Sequence, residues 1–333
     1  SDQFNGRLEA GVPVTLTLAE VHAALGGFDP AVTRLDLTAN LGEGALRGDP
    51  RLGDVAWQPL TLQLNTDNLA ETLNLRLPKT PVTVRGRPGH LFARLDLADL
   101  FDADGAFSAD AVVVDGRIEA VGLPPAVVDA LAGLDGWAAN AMDSVSVSAD
   151  VQGSAAEHID ADLELIDAAD ATRKATLPLR IGERITLQPE QRGALTYMPT
   201  DAIAAKLIPA DLARDVRFGR PIELAITALD APGLGADFAA LTPDRVQLAG
   251  TLTLRAVGGT LMLEGEGGPT DKLAVPEATV ALAGESLAEP TVTLDAVIEA
   301  TGAGAASTYL GGRTRFDVTG STTLDAQFAP GAA

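Results

Sequence analysis

Apolar and polar residues alternate along most of this chain of 333 residues. The pattern is clearest where Leu60, Leu62 and Leu64 are separated by Thr61 and Gln63. A period of two residues places every second side chain on the same face of a β-strand. The alternation returns in several other segments: residues 73–77, 145–151, 159–165, 222–226, 252–254, 292–294 and 324–328. We therefore predict about fourteen short strands, each with one apolar and one polar face.

Short stretches that contain Gly, Pro, Asp or Asn separate most of these segments. These are the residues that turns prefer. Antiparallel strands can be joined by such short turns, whereas parallel strands need long crossover connections and are usually apolar on both faces. The sequence therefore predicts a mainly β fold built on an antiparallel sheet.

Three segments depart from the period of two and are predicted to be short amphipathic helices. In the first, Thr17 and Glu20 have the spacing of a capping box, and two glycines follow at 26–27. The second begins at Leu123-Pro124-Pro125, because proline is favoured in the first turn of a helix. The third begins near Pro199. The apolar stripe of the second helix consists of Val127, Val128, Leu131 and Leu134.

The two later helices have similar surroundings, which favours an internal repeat. Pro124 and Pro199 each lead into a predicted helix that one-faced strands then follow. We predict three parts: a β-rich groove segment with a short N-terminal helix at 1–122, a helix-plus-strands repeat unit at 123–198, and a second such unit with the C-terminal strands at 199–333.

The charge of the chain limits its partners. The 24 Lys and Arg residues stand against 46 Asp and Glu residues, which gives a formal net charge of −22. A surface of this sign repels the phosphates of nucleic acids and anionic lipid headgroups, so we expect no nucleic-acid partner. The chain has no cysteine, which removes disulfides and thiolate metal ligands.

Candidate catalytic and metal-binding motifs are few. His22, His90 and His158 are isolated from one another in the sequence. Asp102-Ala103-Asp104-Gly105 resembles the centre of a calcium loop, but its alignment on the glycine leaves the first and twelfth loop positions without a side-chain oxygen. We expect an acidic turn there. The sequence thus predicts no catalytic residue, no metal site and no cofactor, and a protein that is not an enzyme.

No apolar run approaches the roughly 18 residues that a membrane-spanning helix needs. The residues after Ser1 do not form the basic, apolar and small-residue succession of a signal peptide. Because the chain starts and stops within its strand pattern, we expect it to be a segment of a longer protein.

One stretch of the chain resembles a known family. Residues 122–136, Gly-Leu-Pro-Pro-Ala-Val-Val-Asp-Ala-Leu-Ala-Gly-Leu-Asp-Gly, look like a recurring segment of the bacterial AsmA-like superfamily, which includes the TamB and YdbH types. Residues 144–152 resemble the amphipathic strand that follows this segment, and residues 195–199 resemble the entry to the next helix of the family. The similarity covers about residues 80–260.

The resemblance implies a long, curved antiparallel sheet that forms an open groove with an apolar concave face. Proteins of this family are thought to carry phospholipid across the periplasm to the outer membrane. The expected partner is therefore the acyl chains of phospholipids, with an envelope protein partner left unnamed. The expected location is the periplasm or cell envelope, with an inner-membrane anchor outside this segment. The expected role is lipid transport in outer-membrane biogenesis.

Alternation alone selects the positions that would line such a groove. The predicted lining residues are Leu60, Leu62, Leu64, Leu73, Leu75, Val145, Val147, Leu163, Leu165, Leu224 and Ile226. The same positions also fit a closed β-sandwich or a stalk-like structural or adhesion module of a secreted or surface protein, where they pack against a second sheet. The sequence leaves both alternatives open.

Overall fold

The fold is mainly β, as the alternation predicts, and its described strands belong to one large antiparallel sheet. The structure is a computed structural model. It describes residues 7–8, 13–22, 29–49, 53–102, 104–132, 140–200, 213–233, 243–261, 271–286, 290–301 and 313–323. By its internal contacts the chain divides into unit 1, Ser1–Ala171 with Pro178–Gly182, and unit 2, Thr172–Leu177 with Glu183–Ala333.

The described residues of unit 1 form eleven complete strands, one α-helix and a 3-10 turn at Pro30–Val32. The strands are β1 (Arg7–Leu8), β2 (Val14–His22), β3 (Arg34–Leu41), β4 (Gly44–Asp49), β5 (Gly53–Trp57), β6 (Leu60–Thr66), β7 (Thr72–Val84), β8 (Arg87–Ala98), β9 (Val113–Leu123), β10 (Val145–Ser154) and β11 (His158–Asp167). The helix α1 spans Pro125–Ala132 and directly follows β9.

Strand β12 (Asp170–Ile181) contributes residues to both units. The strands of unit 2 are β13 (Arg184–Leu187), β14 (Gly193–Tyr197), β15 (Ala213–Phe218), β16 (Ile222–Pro232), β17 (Gln247–Leu261), β18 (Asp271–Ala283), β19 (Thr291–Thr301) and β20 (Arg313–Thr323). A 3-10 turn at Pro243–Arg245 precedes β17.

The strands of unit 1 pair mostly with their neighbours along the chain. β3 lies between β2 and β6, and β7 to β11 pair in chain order. The β7–β8 hairpin turns at Arg85–Gly86, where both φ angles are positive, 50° and 79°, as in a type I′ turn. Along its other edge, β7 pairs with β6 near one end and with β5 near the other.

Unit 2 repeats this arrangement of one long strand with two partners along one edge. β14 and β13 pair with the two ends of β16, and β16 and β15 pair with the two ends of β17. β17 to β20 then pair in chain order. The strands that take two partners on one edge, β7, β16 and β17, have 13, 11 and 15 residues, which is longer than an average strand.

An apolar cluster in unit 1 forms around α1. Val127 of the helix is buried against Val82 and Val84 of β7. Four half-buried side chains pack around these three: Val55, Trp57, Leu91 and Leu123. The helix begins where the sequence predicts it, because Pro125 fits the first turn and the Val127 N–H still donates to the Pro124 carbonyl at 2.9 Å.

A buried carboxylate fixes the start of β10. The Asp167 side chain has 0% exposure and lies opposite Val145, which is also fully buried. Its Oδ1 accepts hydrogen bonds from the backbone N–H groups of Ser144 and Ala169, and its Oδ2 accepts one from Asp143. The three distances are 3.0–3.1 Å. The carboxylate therefore ties the segment before β10 to the end of β11.

The prediction of about three short helices is wrong. Residues 17–22 of its first helix belong to the strand β2, because the alternation of Val14, Leu16 and Leu18 with threonines lets this segment pair with β3, and the rest of that helix lies outside the described residues. The capping-box spacing of Thr17 and Glu20 has no helix to cap. The predicted third helix lies largely at 201–212, and that region, like the predicted strand at 324–328, is outside the described residues. The three-part division by repeat units stays a prediction.

We expect Asp167→Ala to lower the free energy of unfolding by about 3 kcal/mol, since it leaves backbone N–H groups without their charged acceptor. Urea unfolding followed by circular dichroism measures the change. Asp115→Ala removes an exposed carboxylate from β9 and should change stability by less than about 0.5 kcal/mol. Equal, small effects of the two substitutions would contradict an anchoring role for Asp167.

Candidate apolar binding face

The sheet register joins the apolar positions of separate strands into rows. Residues directly opposite each other in neighbouring strands point to the same face of the sheet. One row crosses eight strands of unit 1 and consists of Leu18, Leu37, Leu64, Leu75, Leu95, Gly116, Val151 and Ala161. At about 4.8 Å between strands, seven steps make this row roughly 34 Å long. No polar side chain interrupts it.

Further rows lie beside this central one. Across β7 to β11, one row is Leu77, Ala93, Ile118, Ala149 and Leu163, and the next, from β8 onward, is Leu91, Ala120, Val147 and Leu165. On the other side of the central row lie Leu73, Leu97, Val114, Gly153 and Ile159. On β3 and β6 the partners Ala39–Leu62 and Leu41–Leu60 extend the surface. Together with the central row, these residues form what we call the apolar face of unit 1.

Most large side chains of the apolar face are half-buried. Leu64, Leu75 and Leu163 all keep part of their surface accessible, and Ile118 is 46% exposed. When two sheets pack about 10 Å apart in a sandwich, the side chains between them lose nearly all contact with water. A broad apolar surface that keeps such exposure is typical of an interaction site.

The structure places nine of the eleven predicted lining residues on this one face. They are Leu60, Leu62, Leu64, Leu73, Leu75, Val145, Val147, Leu163 and Leu165. Eight of them are half-buried, whereas Val145 has 0% exposure and offers no surface to a ligand. The remaining two, Leu224 and Ile226, are also half-buried and belong to unit 2.

Unit 2 has an apolar face of its own. One row there consists of Leu195, Leu224, Leu252, Val280, Leu294 and Gly320. The neighbouring row contains Gly193, Ile226, Gly250, Leu282 and Val292. Leu294 is 36% exposed, while Ala278 and Ala296 nearby on β18 and β19 are buried. The same alternation thus produces the same kind of surface in both units.

One end of the apolar face of unit 1 is closed. Leu91, which lies in one of its rows, packs against the cluster that Val127 of α1 forms with Val82 and Val84. Val145 lies toward the same end and is fully buried. The face is therefore covered near α1 and accessible along its central rows.

Sequence reasoning missed several members of the face. Leu37 of β3 and Leu95 and Leu97 of β8 occupy its rows but were not among the predicted lining positions. These residues do alternate with others in the sequence. The alternation is hard to recognise because Phe92 stands next to Leu91 and because the alternating stretch in β3 is short. Gly116 carries no hydrophobic signal, and only the register places it in the central row.

The opposite face of unit 1 is polar and ionic. Arg94 lies directly between Arg76 and Arg117 in the ladder, an arrangement that is unfavourable by itself. Asp96 pairs with both Arg76 and Arg94, and Asp150 pairs with Arg117 at 2.8 Å. Several charges on this face are therefore paired with opposite ones, whereas none of the apolar rows described above contains a charged residue.

Two carboxyls on the polar face are held ionised by their neighbours. The Arg180 guanidinium donates to both Asp160 oxygens, at 2.9 and 3.0 Å, and lowers the pKa of the Asp160 carboxyl. A 2.9 Å hydrogen bond from His90 lowers the pKa of Glu119, and the charge of Arg117 adds to this. Partial burial opposes both shifts but does not outweigh them.

Other candidate chemistry is confined to local contacts. Asp102 Oδ1 accepts the backbone N–H groups of Asp104 and Ala106, so the calcium-like motif forms an acidic turn that uses its own carboxylate. Among the described residues, no three His, Asp or Glu side chains come together as a metal site. Within the same residues, no helix has the length and apolar character to cross a membrane.

Comparison with protein-family models, with curated proteins and with solved structures found no match for this chain.

The lowered pKa of Asp160 makes stability depend on pH with a defined sign. A carboxyl whose pKa is lower in the folded state stabilises the fold above its unfolded pKa, and this contribution is lost as the pH falls through the folded pKa. We expect Asp160→Asn to be less stable than the parent at pH 7, with a difference that shrinks as the pH falls below the ordinary aspartate pKa of about 3.9. Thermal unfolding across that range tests this, with Asp115→Asn as the control. A difference that persists at low pH would contradict the ion-pair explanation.

Proposed function

We propose that this chain is a non-enzymatic part of an AsmA-like cell-envelope protein whose apolar face holds phospholipid acyl chains on their way between the inner and outer membranes. The resemblance of residues 122–136 to the recurring segment of that family supports the family assignment. The apolar rows of the face support an acyl chain as the ligand, because side chains without polar groups favour a hydrocarbon chain over any hydrogen-bonding ligand.

The observation that carries the proposal is the partial exposure of the leucines in the central row, which is continuous across eight strands. Burial of apolar surface is favourable by about 25 cal/mol per Å². A protein that leaves such rows accessible to water lacks this favourable free energy unless an apolar ligand or partner covers the rows. An acyl chain can cover them without any directional contact, so it can also move along the rows.

The dimensions of the face fit this ligand. Rows on one face of a strand are two residues, or about 6.8 Å, apart. Three to four rows therefore span roughly 14–20 Å along the strands. One leaflet of a bilayer has a hydrocarbon depth of about 15 Å, half of the ~30 Å core. An acyl chain laid along a strand thus stays on apolar surface, with its headgroup beyond the end of the rows.

The charges of unit 1 support a groove that does not hold headgroups permanently. The arginines on its polar face pair with carboxylates, as Arg117 does with Asp150 and Arg180 with Asp160. The net charge of −22 disfavours tight binding of anionic headgroups. Release of the lipid therefore requires only transfer of its chains to another apolar surface.

The second candidate is a closed structural or adhesion module, and one observation favours it. Val82, Val84, Val127 and Val145 are buried at the α1 end, as they would be in an ordinary core. This candidate requires the rows beyond that end to be covered by protein as well. The two candidate functions make different predictions. The acyl-chain groove should carry lipid after purification, whereas the closed module should not.

The direct test is organic extraction and mass spectrometry of lipid from protein purified from bacteria without detergent. We expect diacyl lipid at a stoichiometric level, well above that of an equally acidic soluble control protein. Absence of lipid, together with no binding of an environment-sensitive hydrophobic dye, would rule out the acyl-chain function and favour the structural module.

Substitution within the face separates lipid binding from folding. We expect Leu163→Asp to reduce bound lipid several-fold and to lower stability by only about 1 kcal/mol, because the side chain is half-buried and the carboxylate keeps contact with water. The matched control Gln63→Asp adds the same charge at a half-buried position on the polar face of β6, opposite Arg76, and should retain lipid. A loss of more than about 3 kcal/mol in Leu163→Asp would indicate a closed core instead.

A further inference from the structure

β2 is more exposed than the other strands whose burial the structure describes. Residues 13–19 are all exposed, and Val14, Leu16 and Leu18 retain 65%, 67% and 56% of their surface. Within the part of the chain that the structure describes, β2 pairs only with β3. Among those described residues no strand lies along its other edge, so the backbone N–H and C=O groups of that edge are open to a further strand. This exposure exceeds that of the half-buried leucines at the centre of the apolar face.

The edge lacks the features that usually prevent strand addition. Soluble proteins protect such edges with charged side chains, prolines or bulges. Residues 14–19, Val-Thr-Leu-Thr-Leu-Ala, contain neither a charge nor a proline, and the bulge of β2 lies after Leu18. A partner strand can approach the whole apolar stretch before it meets the bulge.

The sequence of β2 is complementary to itself in the antiparallel direction. Pairing centred on Leu16 sets Leu16 opposite Leu16 of a second copy, Val14 opposite Leu18, and Thr15 opposite Thr17. Apolar residues then meet on one face and threonines on the other, which is a favourable set of cross-strand pairs. No charge lies in the paired stretch, so two chains that each carry −22 do not oppose like charges there.

We propose that β2 is a dimerisation strand, which pairs antiparallel with β2 of a second copy about a twofold axis at Leu16. Such an interface is closed and uses the same surface of both copies. The row that begins at Leu18 and continues through Leu37 and Leu64 then extends across the axis into the second copy. The dimer depends on strand pairing and not on the proposed lipid function, so either can fail without the other.

Cysteine substitution tests the pairing and its register, since the chain has no native cysteine. In the proposed register the two Leu16 side chains are directly opposite, with Cβ atoms about 4.5–5.5 Å apart. Leu16→Cys should therefore form a covalent dimer under mild oxidation or with a short dithiol-reactive reagent. Leu18→Cys should not, because its counterpart lies four residues, or about 13 Å, further along the strand. Phe107→Cys, at 67% exposure like Leu16, is the control for random collision.

Analytical ultracentrifugation supplies an independent measurement on the unmodified chain. We expect a monomer–dimer equilibrium that Leu16→Lys shifts at least tenfold toward monomer and that Phe107→Lys leaves unchanged. Both sites are exposed, so neither substitution should unfold the protein, which circular dichroism checks. Added salt should strengthen the dimer by screening the repulsion between two acidic chains.

Three outcomes would overturn the proposal. A chain that stays monomeric at high concentration would show that a second copy does not occupy the edge. Equal cross-linking of Leu16→Cys, Leu18→Cys and Phe107→Cys would show unspecific contact. Open-ended assemblies that grow with concentration would show that the contact is not closed by a twofold axis.

Discussion

Cross-strand register is the constraint on which the rest of this structure depends. Each strand has one apolar face, and a slip of one residue between two neighbours would turn the apolar set of one strand to the opposite side. In unit 1 eight strands keep the same phase, so that Leu64, Leu75 and Leu95 lie side by side in one row. The row exists only as long as every one of these pairings holds.

Features on both faces and at the turns maintain this register. The Arg85–Gly86 turn sets the alignment of β7 with β8, and the Arg117–Asp150 pair links β9 to β10 from the polar face. Gly116 permits the close approach of β8 and β9, because a Cβ atom there would clash with the Arg94 carbonyl oxygen. The buried Asp167 then fixes the start of β10. Charges and backbone contacts thus hold in place a surface that itself has no directional interactions.

The separation of the two faces relates the fold to the proposed function. Several arginines of the polar face pair with carboxylates, and the charges of this face favour contact with water. Near α1 the apolar face is covered by protein, because Val127 packs on Val82 and Val84 there. Under the proposed function the ligand is hydrocarbon, which such a surface can accommodate without leaving a polar group unpaired. The free edge at β2 offers a different kind of contact, through backbone groups and not through the face.

The sequence by itself determined the class of the fold, its antiparallel pairing, the phase of most strands and the position of α1, because alternation, turn residues and a proline-led start are local signals. It misassigned β2, whose capping-box spacing is also local but whose conformation depends on pairing with β3. Only the tertiary structure decided which strands are neighbours, that Gly116 belongs to the central row, that Val145 is fully buried, and that the rows are half-exposed. These properties arise from contacts between residues far apart in the chain, and a period of two residues carries no information about what lies opposite a strand or above it.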